Sequence, residues 1–382
     1  LVQAGTFLLL ARVLVEGQPV LTEFVALPVV GLVAWGVWQL AADTSVYRFE
    51  TAKAMLYWSA NAAVFLVARE VCLSTHTRNR FLRGILWFGA AVALLTIMQY
   101  FTSEGRVFWV FPTQEVRVLG PFLYKNQCAA FVELVFPLAV YQSLVDRRHS
   151  LVYVTIAATL FAAMIAAVSR AGAALLAGEL IAILLLAWRR GLMPAVSLGK
   201  TVMRLAALSV VLAAVVGWQV TLEKFREPEP YRVRRELLLS SRAMVANHPW
   251  AGFGLGTWPA VYPAYARLDN GLVANHAHND WAEWAAEGGL PFLALLGLIA
   301  IWSVRPAADS LWGLGIPAVF AHSLVDYPLR EPALAAMLFA MLGALAARAR
   351  GDLPAARAAR RTWACGRLRL FLRARQRAAG LP

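Results

Sequence analysis

Charge is scarce in this sequence: Asp, Glu, Lys and Arg make up 15% of it, where an ordinary soluble domain carries about 25%. So little charge does not supply the polar surface of a soluble fold of this length. Cysteine is nearly absent too. Cys72, Cys128 and Cys365 lie far apart with no Cys-x-x-Cys spacing, which argues against a disulfide framework and a zinc knuckle. Internal repeats, low-complexity stretches and a second soluble domain are all missing. What is plentiful is hydrocarbon. Hydrophobic residues make up 60% of the chain and the mean hydropathy is +0.60. Runs such as LVYVTIAATLFAAMIAAV (151–168) and AALLAGELIAILLLAW (173–188) approach the ~20 residues a helix needs to cross a bilayer.

The fold class expected is therefore all-α, a polytopic transmembrane helical protein. Eleven spans are expected near 1–16, 20–40, 52–72, 84–102, 120–144, 151–169, 171–188, 203–220, 284–304, 309–325 and 333–349. The chain opens on Leu1 inside an apolar stretch, so the first span is expected to be partial and to continue a preceding segment. That stretch does not read as a cleavable signal peptide. Residues 1–349 form one membrane domain that includes a long loop, 221–283, and residues 350–382 form a basic tail.

The formal charge of +14 is concentrated at the end of the chain. After residue 347 come ten arginines and one acid, Asp352, so nine of the fourteen net charges lie there. Beside a final span this reads as a lipid-facing cytoplasmic anchor and not as a nucleic-acid arm. Cytoplasmic loops are enriched in Lys and Arg, and THTRNRFLR (75–83), DRRHS (146–150), the stretch 189–204, Arg305 and the tail all fall on one side of the expected spans. The opposite, periplasmic side then receives 41–51, 103–119, the Ser169-Arg170 turn, the loop 221–283 and the turn DYPLREP (326–332). The long loop balances seven basic residues against seven acids, as a translocated segment tolerates. A bacterial inner-membrane protein with its polar chemistry facing outward is the expectation.

Four polar features gather on that outward side. GPFLYKNQCAAF (120–131) places Lys125 and Asn126 at the start of a span. VSRAGA (168–173) places Arg170 between two spans. SRAMVANHPWAGFGLGTW (241–258) carries Arg242 and His248 ahead of a glycine-rich turn, and NHAHNDWAEWAAEGG (275–289) carries His276 and His278. Plainer roles compete with each. Arg170 snorkels to the interface, Arg242 pairs with Glu236 or a neighbouring helix turn, and Lys125, Arg106 and Arg117 are ordinary interface cations. GFGLG lacks the flanking strand and helix of a nucleotide fingerprint, so it reads as a tight turn that lets backbone approach another segment.

The histidines are sharper. His278 stands just ahead of a helix whose cap is Asn279 or Asp280, with Glu283 completing a capping-box-like pair. The helix dipole there favours the neutral imidazole that a general base needs, although an ordinary interface histidine would sit equally well. His276, His278, Asp280 and His322 are chemically adequate for zinc, but no helical His-x-x-x-His or cysteine pair supports it, and a metal-free site with no cofactor is preferred. Permanently charged arginines near the membrane, beside a histidine, suit a lipid diphosphate whose departure builds negative charge.

VSRAGA, NHPWAGFGLGTW, AHNDWAEWAAEGG and AHSLVDYPLREPALAAML (321–338), in that order, resemble the O-antigen ligase/polymerase superfamily. GPFLYKNQCAAFVELVFPLAV (120–140) resembles its earlier asparagine-containing segment. The resemblance implies a multispanning inner-membrane glycosyltransferase that uses a polyprenyl-diphosphate-linked glycan without a metal. The acceptor is lipid A-core or another glycolipid in ligases, another glycan unit in polymerases, and protein hydroxyls in O-oligosaccharyltransferases. It further implies that Arg170 and Arg242 hold the donor diphosphate and that His278 is the base on the acceptor. Lys125, Asn126, His276, His248 and Asp326 are supporting candidates. One departure stands out: EGGLPF places Phe292 where the family often has a glycine. Membrane lipids are expected partners and nucleic acid is not. A solute carrier of bicarbonate type is the alternative from another class, with Glu133 and Glu179 as its pathway acids.

Overall fold

The computed structural model describes residues 24–113, 118–192, 195–217, 232–267 and 274–349. Its helices are α1 (Ala26–Ala41), α2 (Arg48–Val71), α3 (Thr75–Thr102), α4 (Lys125–Val145), α5 (Ser150–Ala167), α6 (Arg170–Arg189), α7 (Ala195–Val216), α8 (Arg232–Asn247), α9 (Trp258–Val261), α10 (Asp280–Ser310) and α11 (Gly315–His322), followed by α12 (Pro332–Ala349). A two-stranded hairpin, β1 (Arg106–Val107) with β2 (Phe111–Pro112), follows α3. The expected first span, the loop residues 218–231 with their acids and bases, Arg117 and the tail 350–382 lie outside the described residues.

Among the described residues, seven helices are long and apolar enough to cross a membrane: α3, α4, α5, α6, Ser197–Val216 within α7, α10 and α12. α1 is a shorter apolar helix. The other expected spans have a different character. The segment expected over 52–72 belongs to α2, which carries Arg48, Glu50, Lys53, Arg69 and Glu70. The one expected over 309–325 is helical only over Gly315–His322, because α10 runs on to Ser310 and uses up its first residues.

α4 is the axis of the bundle. Every residue from Cys128 to Val140 on it is buried, and small residues at the crossings let its neighbours come close. Gly172 of α6 abuts Ala129, Gly89 of α3 abuts Val135, and Gly315 of α11 rests on the backbone at Glu133 and Leu134. Packing through small residues is how apolar helices associate when lipid competes equally well for their side chains.

α10 is broken near its start, and the break organises the long loop. Gly289 has φ +69° and ψ −177°, so the helical ladder stops there. Pro291 has no N–H to return to Glu287, and the N–H of Leu290 turns to Pro249 O instead (2.8 Å). The freed carbonyls are taken by the glycine-rich turn: Phe253 N–H donates to Ala286 O (3.0 Å) and Gly254 N–H to Glu287 O (2.9 Å). Gln39 of α1 donates to Glu287 O (2.9 Å) and Ala251 O (2.7 Å). A Cβ on Gly252 would collide with the Glu287 carbonyl, and Gly252 itself has φ +65°. GFGLG is therefore a backbone-to-backbone splint on the α10 break, as its composition led us to expect. Phe292, at the departure from the family pattern, is fully buried and packs edge-on to Trp58 at 5.4 Å.

The starts of α4, α6 and α10 and the end of α11 lie at one end of the bundle. Asn126 meets Asp326 there, Gly172 meets Ala129, and Asp280 N–H donates to Ser323 O and Asp326 O (2.9 and 3.1 Å). At the other end the last turns of α6 and α10 meet, where Arg190 bonds Asp309 O (3.0 Å).

Candidate active site at one end of the bundle

α10 starts where its sequence says it should. Asn279 is the N-cap, and its side-chain oxygen accepts from Ala282 N–H at 2.9 Å. His278 immediately precedes it with φ +50°, a left-handed conformation that a β-carbon disfavours and that functional sites commonly hold against strain. This backbone turns the imidazole toward the loop after α11. Its Nδ1 lies 3.5 Å from Oδ1 of Asp326, and the side chains of His278 and Asp326 are 29% and 2% exposed.

Asp326 is the hub. Its Oδ2 accepts from Arg234 Nη2 of α8 at 2.8 Å and from Asn126 Nδ2 of α4, with the Tyr124 hydroxyl 3.5 Å away. Its Oδ1 accepts the N–H of Tyr327 at 2.9 Å. Arg234 also donates to Tyr124 Oη (3.2 Å) and Val325 O (2.8 Å). Burial pushes the Asp326 carboxyl up, but the His278 imidazole and the Arg234 guanidinium outweigh that and hold it below the usual carboxylate range.

An aromatic wall closes one side of the hub. Tyr124 and Tyr327 stack with ring centres 5.6 Å apart. Tyr327 also takes His276 face-on (4.4 Å) and His278 edge-on (4.9 Å). Burial, then the neighbouring acids and phenols, push the Tyr124 and Tyr327 hydroxyls above their ordinary value, so both remain neutral donors.

A second cluster fixes the floor beneath. Arg330, in the short turn Pro328–Arg330, reaches Glu287 (2.8 Å), Glu283 (3.2 Å) and Asp280 (3.7 Å). Burial works against its charge, but the three carboxylates around it hold the guanidinium protonated well past the ordinary value. Glu283 accepts from Ala277 N–H (2.8 Å) and faces His276 Nδ1 (3.0 Å). It therefore braces the His276–His278 segment and does not cap its own helix. Asp280 accepts from Ser323 Oγ (3.1 Å) and Leu329 N–H (3.0 Å), so this expected cap is instead a buried anchor.

The expected residues divide as follows. His278, Asn126, Asp326 and His276 come together. Lys125 and Arg170 occupy the first positions of α4 and α6 at the same end, half-buried. Arg242 is exposed on α8, two turns beyond Arg234. His248 is exposed and packs its ring on Phe253 at 4.3 Å, under the glycine turn and not at the hub. The zinc alternative is dispersed: His322 turns to Glu133 (2.8 Å) and Asp280 to the Arg330 turn. Among the described residues no three His, Cys, Asp or Glu are grouped to hold a metal ion.

Residues 155–297 match the family model of the O-antigen ligases. No curated protein matches the chain. The O-antigen ligase match supports the resemblance read in the motifs and implies an enzyme of glycosyl-transfer type acting on a lipid-linked glycan and an acceptor. It takes in Arg170, Arg234, Arg242, His276 and His278. Asn126 and Asp326, which complete the hub, lie on either side of it.

Proposed function

We propose that this chain transfers a glycan from a polyprenyl-diphosphate donor to a hydroxyl acceptor, O-antigen ligase fashion, at the periplasmic face of a bacterial inner membrane. The observation that carries the proposal is the His278 imidazole facing the Asp326 carboxylate, Nδ1 to Oδ1 3.5 Å, at the end of an apolar helical bundle. With Nδ1 turned to Asp326, Nε2 is the nitrogen left for the acceptor. The carboxylate fixes the ring's orientation and stabilises the imidazolium that forms when the base takes a proton.

The step balances without a cofactor. His278 Nε2 removes the acceptor hydroxyl proton as that oxygen bonds to the anomeric carbon of the donor sugar. The bond from that carbon to the diphosphate oxygen breaks, and its electron pair leaves with the polyprenyl diphosphate. Arg170, at the first turn of α6, and exposed Arg242 meet the growing negative charge with permanently cationic, bidentate donors. The α6 N-terminus adds its own positive dipole end. Lipid A-core or a related glycolipid is the acceptor we favour, with a second glycan unit or a protein hydroxyl as the alternatives within the family.

Purified full-length protein in lipid nanodiscs, given a polyprenyl-diphosphate glycan and a glycolipid hydroxyl acceptor, is expected to form the linked product with one polyprenyl diphosphate released per transfer. Solute uptake into proteoliposomes with no glycan product from any of the three acceptor classes would favour the carrier and overturn the proposal.

A further inference from the structure

Below the hub, three ionisable side chains sit in the bundle interior with no part in glycosyl transfer. His322, at the end of α11, directs Nδ1 to Oε1 of Glu133 on α4 at 2.8 Å, with both side chains fully buried. Glu179 of α6 is buried as well. The buried residues of α6 are Gly172, Leu176, Glu179, Ile183 and Ala187, a single stripe at helical spacing, with Glu179 at its centre where an apolar residue would ordinarily pack.

The crossing of Gly172 against Ala129 sets the register between α6 and α4. Both helices start at the same end, so Glu133, one turn beyond Ala129, and Glu179, two turns beyond Gly172, face the same seam. At 1.5 Å per residue they lie roughly 12–14 Å below the helix starts, near the middle of an apolar core about 30 Å thick.

Four atoms of this trio are buried without a hydrogen-bond partner: both carboxyl oxygens of Glu179, Oε2 of Glu133 and Nε2 of His322. Buried polar atoms are rarely left so, and a group of them calls for a held proton, a water or an ion. The charge count favours the proton. The basic residues within α4 and α6 are Lys125, Arg170 and Arg189, at the helix ends, while α11 has none besides His322. From Val154 to Ala167, α5, which packs on α4, has no ionisable group. Asp326 and Arg234 lie one turn beyond His322, toward the hub. Fully ionised, the trio carries −1 with His322 charged and −2 with it neutral. In a dry interior that imbalance is relieved by holding protons.

We propose that Glu133, Glu179 and His322 form an intramembrane proton-binding site that exchanges with the hub end of the bundle. The connection is short. The carbonyl of His322 accepts the N–H of Asp326 at 3.1 Å, so the trio and the hub are joined by one turn of chain. On the far side the seam continues as Phe136 and Val140 of α4 and Ile183 and Ala187 of α6, all buried and apolar. The site thus stores protons from one face and is not a path across the membrane, which separates it from a carrier built on the same two acids. It does not depend on the glycosyl-transfer proposal.

Infrared spectroscopy of the full chain in nanodiscs, at neutral pH and without substrate, tests it. The expected result is a carbonyl band of a protonated carboxyl that shifts on transfer to D2O, is lost in Glu179→Gln and moves in Glu133→Gln. Glu179→Asp, which keeps the acid, is expected to retain a band at a shifted frequency and guards against a folding failure of the amide variant. A band unchanged in both amide variants, or one that never responds to D2O, would overturn the site. Because no substrate is present, that outcome is distinct from any failure of transfer.

Discussion

Asp326 serves two partners at once: one carboxylate oxygen holds Arg234 at 2.8 Å while the other faces His278 Nδ1 at 3.5 Å. The carboxylate belongs to the loop after α11, the arginine to α8 and the histidine to the segment before α10. Three segments remote in sequence therefore meet on one side chain. A carboxylate so placed can orient the imidazole, and through Arg234 it pins the long loop to the bundle.

Asp326→Asn tests the orienting role. The amide is close to isosteric but loses the negative charge that favours imidazolium. The expected result is a kcat for glycan transfer lowered by about 10²-fold or more, with donor KM changed little and the pH–rate profile altered. Steady-state kinetics across pH on the purified variant check this.

Acid stability follows from the same group. The folded-state carboxyl is held below its ordinary value, so Asp326 contributes stability above its unfolded value of about 3.9 and loses it as pH falls through the lower folded value. Thermal unfolding in detergent from neutral pH to below pH ~4 is expected to show a steeper fall in Tm for the wild type than for Asp326→Asn. Parallel curves would remove Asp326 from the acid response.

Arg234 and Arg242 separate structure from donor binding. Arg234→Ala is expected to cost about 1–2 kcal/mol, less than a fully buried pair because the arginine is 25% exposed, and to lower kcat by loosening Asp326. Arg242→Ala is expected to leave Tm within about 1 °C, as is usual for an exposed position, and to raise donor KM. Thermal melts paired with donor titrations distinguish the two.

Gly252→Ala should be damaging out of proportion to its single methyl. The added carbon meets the Glu287 carbonyl, and the backbone is at φ +65°. The expected cost exceeds about 3 kcal/mol, visible as loss of the monodisperse peak in size-exclusion chromatography.

How much of this was legible in the sequence depends on the distance over which each interaction acts. Helix-forming runs, the Asn279 cap and the glycine turn are local, so composition and spacing disclosed them. Motif order pointed to His278, which the structure places beside Asp326. Arg234 did not stand out, because it is one of seven basic residues in a charge-balanced loop and its partner lies 92 positions away. Asp280 and Glu283 look like first-turn caps in sequence. Partners remote from the helix start, Ser323, Leu329 and Arg330 after α11 among them, turn them into buried anchors. Glu133 and Glu179 were visible as costly acids, but their common seam depends on the Gly172–Ala129 crossing, which no local pattern encodes.

We place His278 as the base on the acceptor. The most direct test is His278→Ala in the purified full-length protein, assayed for transfer from a polyprenyl-diphosphate glycan while donor binding is measured separately. A loss of about 10²–10⁴-fold in transfer with donor affinity kept is the expected result. Transfer at the wild-type rate would remove His278 as the base.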